Sequence, residues 1–292
     1  MKITTWSGLS VAVMASGMVS LHAQNLNGTL NPGFYGSPLA VQTVNTGFGN
    51  STGNDGSGGS ELDAAYGSIS GGNLYVFLAG NTENNGNHVN LFIAGGAAGQ
   101  NTLALPNTGT MGAMNGSVFS PGFNATFALD LNDFSGTFYT EEYNLTGTPS
   151  GGYVGALGHG ATGIYAGSDG GVASLYINNN HVSTMGAANG ALSGATSGAA
   201  TTTGLELVIP LADIGYTGGS VEVLADINGG SDGYLSNQFL PGLPVGTGNV
   251  GTAGFNFGST PGEYITIAVP EPSTMVLGAA GMATLLLLRR RR

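Results

Sequence analysis

Glu61-Leu62-Asp63-Ala64-Ala65-Tyr66-Gly67-Ser68-Ile69-Ser70-Gly71-Gly72-Asn73-Leu74-Tyr75-Val76-Phe77-Leu78-Ala79 decides the fold. Gly71 and Gly72 both accept positive φ, so they predict a two-residue hairpin between two strands. Alternation on the return strand places Tyr75, Phe77 and Ala79 on one face and Leu74, Val76 and Leu78 on the other. Both faces are apolar, so this strand is expected inside a sheet that is covered on both sides.

The same pattern recurs on either side. Downstream, residues 81–87 read as a polar loop and 88–94 as a third strand. Residues 125–131 point Ala125, Phe127, Leu129 and Leu131 inward, against Thr126, Ala128 and Asp130. Further strands are expected over 136–144, 153–157, 172–177, 204–211, 220–227 and 264–268. In the 220–227 strand, Val221, Val223, Ala225 and Ile227 face inward, with Glu222 and Asp226 outside. Pro210 marks a strand end, because it donates no ladder hydrogen bond, and 211–215 suggests one helical turn. Upstream, 39–44 is a short candidate strand in turn-rich sequence. No amphipathic helix of three turns is visible. The expectation for residues 24–268 is all-β: a sandwich or jelly roll with long Gly/Asn/Ser-rich loops.

Charge narrows the function. The basic residues are Lys2, Arg289, Arg290, Arg291 and Arg292, so residues 24–269 contain no Lys and no Arg. They contain no Cys and no Trp either. Nucleic-acid binding is excluded, because phosphate neutralisation needs cationic side chains. A guanidinium phosphate clamp, a disulfide, a thiolate zinc site and a cysteine nucleophile are excluded with it. Every acid must be solvated, hydrogen-bonded or placed on a cation. Calcium, which takes hard oxygen ligands, is the one cofactor suggested.

Both ends read as addresses. Lys2, an apolar run over 9–19 and Leu21-His22-Ala23 before Gln24 predict a secretory signal peptide over 1–23, cleaved between Ala23 and Gln24. At the other end stand Val269-Pro270-Glu271-Pro272-Ser273, an uncharged apolar segment over 274–288 and the four terminal arginines. The apolar segment predicts one short transmembrane helix. At about 1.5 Å per residue it falls short of a hydrocarbon core roughly 30 Å thick, a gap that snorkelling arginines and local thinning can close. Arg289–Arg292 stay cytoplasmic, so the body lies outside. This C-terminal arrangement over 269–292 resembles the PEP-CTERM sorting signal of Gram-negative bacteria that secrete exopolysaccharide. The resemblance implies recognition by an exosortase-type membrane protease, transient residence in the inner membrane, and delivery to the outer surface or extracellular matrix. A plain, uncut membrane anchor is the alternative.

A second resemblance spans roughly residues 60–268. The 61–66 strand, the hairpin into Leu74–Asn81, the 88–93 strand and Gly204-Leu205-Glu206-Leu207-Val208-Ile209-Pro210-Leu211 look like the DOMON-type sandwich that includes family-9 carbohydrate-binding modules. It implies a β-sandwich in contact with extracellular polysaccharide. Sugar-binding members commonly clamp the ligand with Trp, which this body lacks.

Candidate sites follow from the acids. Asp55, Glu61 and Asp63 crowd one loop and strand start, as calcium ligands or as a solvated acidic loop. Asp226, Asn228 and Asp232 supply oxygens at spaced positions of 226–232, as a calcium loop without the bidentate Glu of an EF-hand or as an Asx-rich turn. Glu141 and Glu142 are adjacent and point to opposite faces of a strand. Asp130 and Asp133 are the carboxylate pair that a turn could bring together, which sequence alone does not decide. His88, His159 and His181 show no metal-ligand spacing. The reading is a non-catalytic structural or glycan-contacting module, with a polysaccharide hydrolase as the alternative.

Overall fold

The computed structural model describes residues 24–44, 46–47, 60–106, 108–158, 164–168, 171–178, 198–252, 254–260 and 263–269. The expected signal peptide, Pro270–Ser273, the apolar segment 274–288, the arginine tail, Asp55, His159 and His181 lie outside them.

Two antiparallel sheets form the body, as expected. The first is built from β1 (Ala40–Val41), β2 (Glu61–Ser70), β3 (Asn73–Asn81), β8 (Ile164–Ser168), β9 (Ser174–Asn178) and β10 (Gly204–Pro210), in the order β1-β2-β3-β10-β9-β8. The second contains β4 (Asn85–Ala94), β5 (Phe127–Phe134), β6 (Thr137–Asn144), β7 (Ser150–Gly158), β11 (Val221–Asn228) and β12 (Leu235–Leu240), in the order β12-β11-β4-β5-β6-β7. β13 (Ile265–Ile267) pairs with the first half of β11 and β12 with its second half. Gly71 and Gly72 turn the β2–β3 hairpin at φ 57° and 81°. Pro210 ends β10 two residues beyond its last β9 partner, so the missing N–H costs no ladder bond.

The core between the sheets follows the alternation. Leu74, Val76 and Leu78 meet Val89, Leu91, Ile93, Leu129, Val223 and Ile227, all buried. Each sheet also has an apolar back. Behind the first sheet, Tyr66 and Phe77 cluster with Tyr35 of the one-turn helix α1 (Pro32–Tyr35). Behind the second, Phe92, Ala128, Tyr143 and Leu224 are covered by Leu103, Met111, Met114, Phe119, Phe123 and Phe257 from loops. This loop layer makes the back of the second sheet an interior, which corrects the expected outward position of Asp226: it is on the predicted face and is wholly buried.

Other departures are local. Residues 211–215 form a hydrogen-bonded turn without a helix. β12 was not expected, because Ser236, Asn237 and Gln238 break the apolar pattern. They are buried, and Gln238 Oε1 accepts from the Leu62 N–H while Asn237 Oδ1 accepts from the Gly47 N–H.

Two buried acids are held by neutral donors, largely backbone N–H groups. Glu206 on β10 accepts from the N–H groups of Asn27 and Gly28, from Gln24 Nε2 and from the Tyr35 hydroxyl. Glu142 on β6 accepts from the N–H groups of Val172 and Ala173. Each carboxylate ties a distant segment to a strand.

Candidate functional site

Three neighbouring strands carry the same polar–apolar–polar triplet: His88-Val89-Asn90 on β4, Asp130-Leu131-Asn132 on β5 and Asp226-Ile227-Asn228 on β11. The middle residue of each enters the core between the sheets, and the outer two point to the back. Register places Asp226, Asn90, Asp130 and Glu141 in one row across the sheet, and Asn228, His88, Asn132 and Tyr139 in the next. Two short 3-10 turns, Thr110–Met114 and Gly230–Asp232, contribute Thr110 and Asp232 to this patch. Ser231 and Asp232 have φ of 61° and 52°, a left-handed pair that directs Asp232 inward.

His88 Nδ1 lies 2.9 Å from both Asp130 oxygens and 3.3 Å from Asp232 Oδ2. Ligand atoms of His88, Asp130 and Asp232 all fall within 4.8 Å of one another. Asn90 Nδ2 donates to Asp232 Oδ1 at 3.0 Å and to Asp226 Oδ1 at 3.4 Å. Thr110 Oγ1 donates between Asp130 Oδ2 and Glu141 Oε1. Glu141 is further held by the N–H groups of Thr110 and Met111 and by the Tyr143 hydroxyl.

Burial governs the protonation. It drives Asp226 well above the usual carboxylate range, with Asp232 adding repulsion. Burial and then Asp130 push Asp232 up to about 8. Burial lowers the His88 imidazole, but Asp130, Asp232 and Glu141 outweigh it and push it up to about 9. Asp130 is also displaced upward by burial, so His88 and Asp130 hold a proton between them. Asn132 Nδ2 sits 2.6 Å from His88 Nε2 and also donates to the Gly86 carbonyl, which places that shared proton on Nδ1. A doubly protonated ring requires the Asn132 amide to turn.

A cleft of about 420 Å³ opens over this patch. His88, Asp130, Asn132 and Glu141 line its polar side, and Phe134, Tyr139 and Tyr153 its aromatic side.

Of the expected calcium ligands, Asp226 and Asp232 do come together. Asn228 does not join them: its Nδ2 donates to the Asp232 carbonyl, and its Oδ1 accepts from the Gly229 and Tyr234 N–H groups. Glu61 and Asp63 are buried on β2 rather than solvated, and Thr201 Oγ1 donates to Asp63. Neither belongs to a three-ligand group among the described residues. Asp130 and Asp133 do not converge; Asp130 faces His88 while Asp133 accepts from Thr82 on the opposite face.

The last described strand, Ile265–Ile267, ends three residues before Pro270. Residues 268–292 match the PEP-CTERM protein-sorting motif. A PEP-CTERM tail carries an exported chain to the cell surface through exosortase processing. Comparisons with curated proteins and with solved structures give no match.

Proposed function

We propose that the exported β-sandwich is a non-catalytic glycan-contacting module, delivered to the surface by its PEP-CTERM tail, and that the cleft behind the second sheet takes the saccharide. One observation carries this reading. Three exposed large apolar side chains, Phe134 (53% exposed), Tyr139 (38%) and Tyr153 (60%), line this one cleft. Aromatic faces beside carboxylates and side-chain amides suit a ligand with apolar C–H faces and many hydroxyls. Tyr and Phe then serve where sugar-binding members of the sandwich family that the sequence resembles commonly use Trp. The absence of Lys and Arg favours a neutral glycan over an anionic one.

A hydrolytic reading has one point in its favour, since Asp130 and Glu141 share the cleft and are bridged by Thr110. Glu141, however, already accepts two backbone N–H groups and two hydroxyls. A carboxylate so occupied is suited to positioning a turn and poorly suited to attacking or protonating a glycosidic bond.

The test is affinity electrophoresis of the processed protein in gels containing neutral or anionic polysaccharide. Neutral polysaccharide retards the protein, and Tyr153→Ala weakens retardation about tenfold, the equivalent of ~1.4 kcal/mol. Equal migration of wild type and Tyr153→Ala in every gel refutes the assignment. Release of reducing ends by wild type but not by Asp130→Asn supports hydrolysis instead.

A further inference from the structure

The His88 cluster contains more than its own hydrogen bonds explain. Asp226 Oδ2, Asp232 Oδ2 and Asn90 Oδ1 are fully inaccessible to solvent and have no hydrogen-bond partner among the described residues. Buried oxygens without donors are costly, and a carboxylate oxygen more so. All three belong to side chains already gathered at one point: Asn90 touches Asp226 and Asp232 through its Nδ2, and Asp232 Oδ2 lies 3.3 Å from His88 Nδ1. Three carboxylates and one imidazole share this volume, and residues 24–269 hold no Lys or Arg to neutralise them.

We propose that His88, Asp130 and Asp232, with Asp226 beside them, form a binding site for one divalent transition-metal ion. The donor set decides the class. A ring nitrogen with carboxylate oxygens suits Zn²⁺ or Mn²⁺, whereas calcium takes six to eight oxygens in a flexible cage. His88 Nδ1 already stands 2.9 Å from Asp130 and 3.3 Å from Asp232, close to the ~3.4 Å that separates the ligands of a tetrahedral ion with bonds of about 2.1 Å. His88 and Asp130 border the open cleft, which gives the ion a route in, while Asp226 and Asp232 are fully buried.

Coordination through Nδ1 requires the ring proton to move from Nδ1 to Nε2, so that the ligand is a neutral imidazole. That hydrogen then needs an acceptor, so the Asn132 amide turns to present Oδ1 to the ring. Asn132 is thereby a positioning residue that reports on occupancy. The proposal is independent of what the cleft binds.

The experiment uses the processed protein, stripped with a chelator, dialysed and titrated separately with Zn²⁺, Mn²⁺ and Ca²⁺. At a hundredfold excess over Kd, one of the transition ions raises Tm by about 5–11 °C at one ion per chain, and Ca²⁺ does not. Asp232→Asn keeps the side-chain shape and an acceptor for Asn90, and it removes a buried charge. Metal-free Asp232→Asn therefore melts no lower than wild type, while its metal-induced shift is lost. A purely structural Asp232 would lower the metal-free Tm instead. Should Asp232→Asn misfold, Asp226→Asn and the metal content of wild type purified without chelator decide the matter. No shift with any ion, or a full shift retained in both variants, overturns the site. A Ca²⁺ shift as large as that of Zn²⁺ or Mn²⁺ overturns the ion class.

Discussion

Replacing Glu206 tests whether acceptor clasps, in a body without cations, do the work that ion pairs do elsewhere. The Glu206 carboxylate receives four donors, two at Oε1 and two at Oε2. In Glu206→Ala, Asn27 is exposed and Gln24 partly so, and their donors recover water. Gly28 N and the Tyr35 hydroxyl are buried and do not. At roughly 1–3 kcal/mol for each stranded buried donor, the loss is about 2–6 kcal/mol. Glu206→Gln keeps the shape and one carbonyl acceptor for the two N–H groups. The Tyr35 hydroxyl, which burial alone keeps protonated once Glu206 is gone, rotates to accept from the new amide. Only charge assistance is lost, roughly 1 kcal/mol for each of two retained bonds, or about 2 kcal/mol. For a body of this size each kcal/mol moves Tm by about 2–4 °C, so Glu206→Gln falls by about 4–8 °C and Glu206→Ala by about 4–24 °C. Differential scanning calorimetry measures the melting point, and hydrogen exchange at Asn27 and Gly28 shows whether the arm is released. Equal melting points for wild type and both variants, with the two amides still protected, would refute the clasp. A Glu206→Gln protein more stable than wild type would show that desolvation of the charge exceeds what its donors return.

Two further changes probe the same chemistry elsewhere. A Cβ at Gly109 would lie 2.2–2.4 Å from the Glu141 carboxylate atoms, so Gly109→Ala displaces that group from the Thr110 and Met111 N–H groups. The expected cost is about 1–3 kcal/mol, read as a lower urea midpoint at unchanged m; an unaltered midpoint would show that Glu141 does not hold the turn. Glu263 accepts from the Ser120 N–H, but its Oε2 is buried without a partner among the described residues, and burial raises its pKa above the usual 4.5. A carboxyl whose folded pKa is raised favours folding below its unfolded value, and this contribution disappears as pH rises through the folded one. Wild type should therefore lose stability relative to Glu263→Gln as pH is raised from about 4.5 to 7, and parallel stability–pH curves would count against this.

The sandwich was legible because its signals are local. Gly71-Gly72 sets the hairpin, and the alternation of Phe127, Leu129 and Leu131 identifies a core face. β12 was hidden because Asn237 and Gln238 bond to Gly47 and Leu62, nearly two hundred residues away in sequence, an arrangement with no periodic signature. The loop layer over Phe92 and Leu224 was hidden for the same reason, and with it the burial of Asp226. The site was half legible. Asp226 and Asp232 stand out as oxygen donors in a Gly-rich run, but His88 lies more than a hundred residues earlier and has no spacing relation to them. The clue that was present is the repeated triplet His-Val-Asn, Asp-Leu-Asn and Asp-Ile-Asn. Its three copies align only once the strand order places β11, β4 and β5 side by side.

The C-terminal strand sets how far the folded body reaches along the chain. Ile265 and Ile267 are buried, Val269 packs against the same core, and Pro270 follows at once. In sequence, no linker separates Val269 from the Pro-Glu-Pro motif. A truncation placed only five residues ahead of that motif therefore takes Ile265, Ile267 and Val269 from the core and removes β13 from the edge of β11.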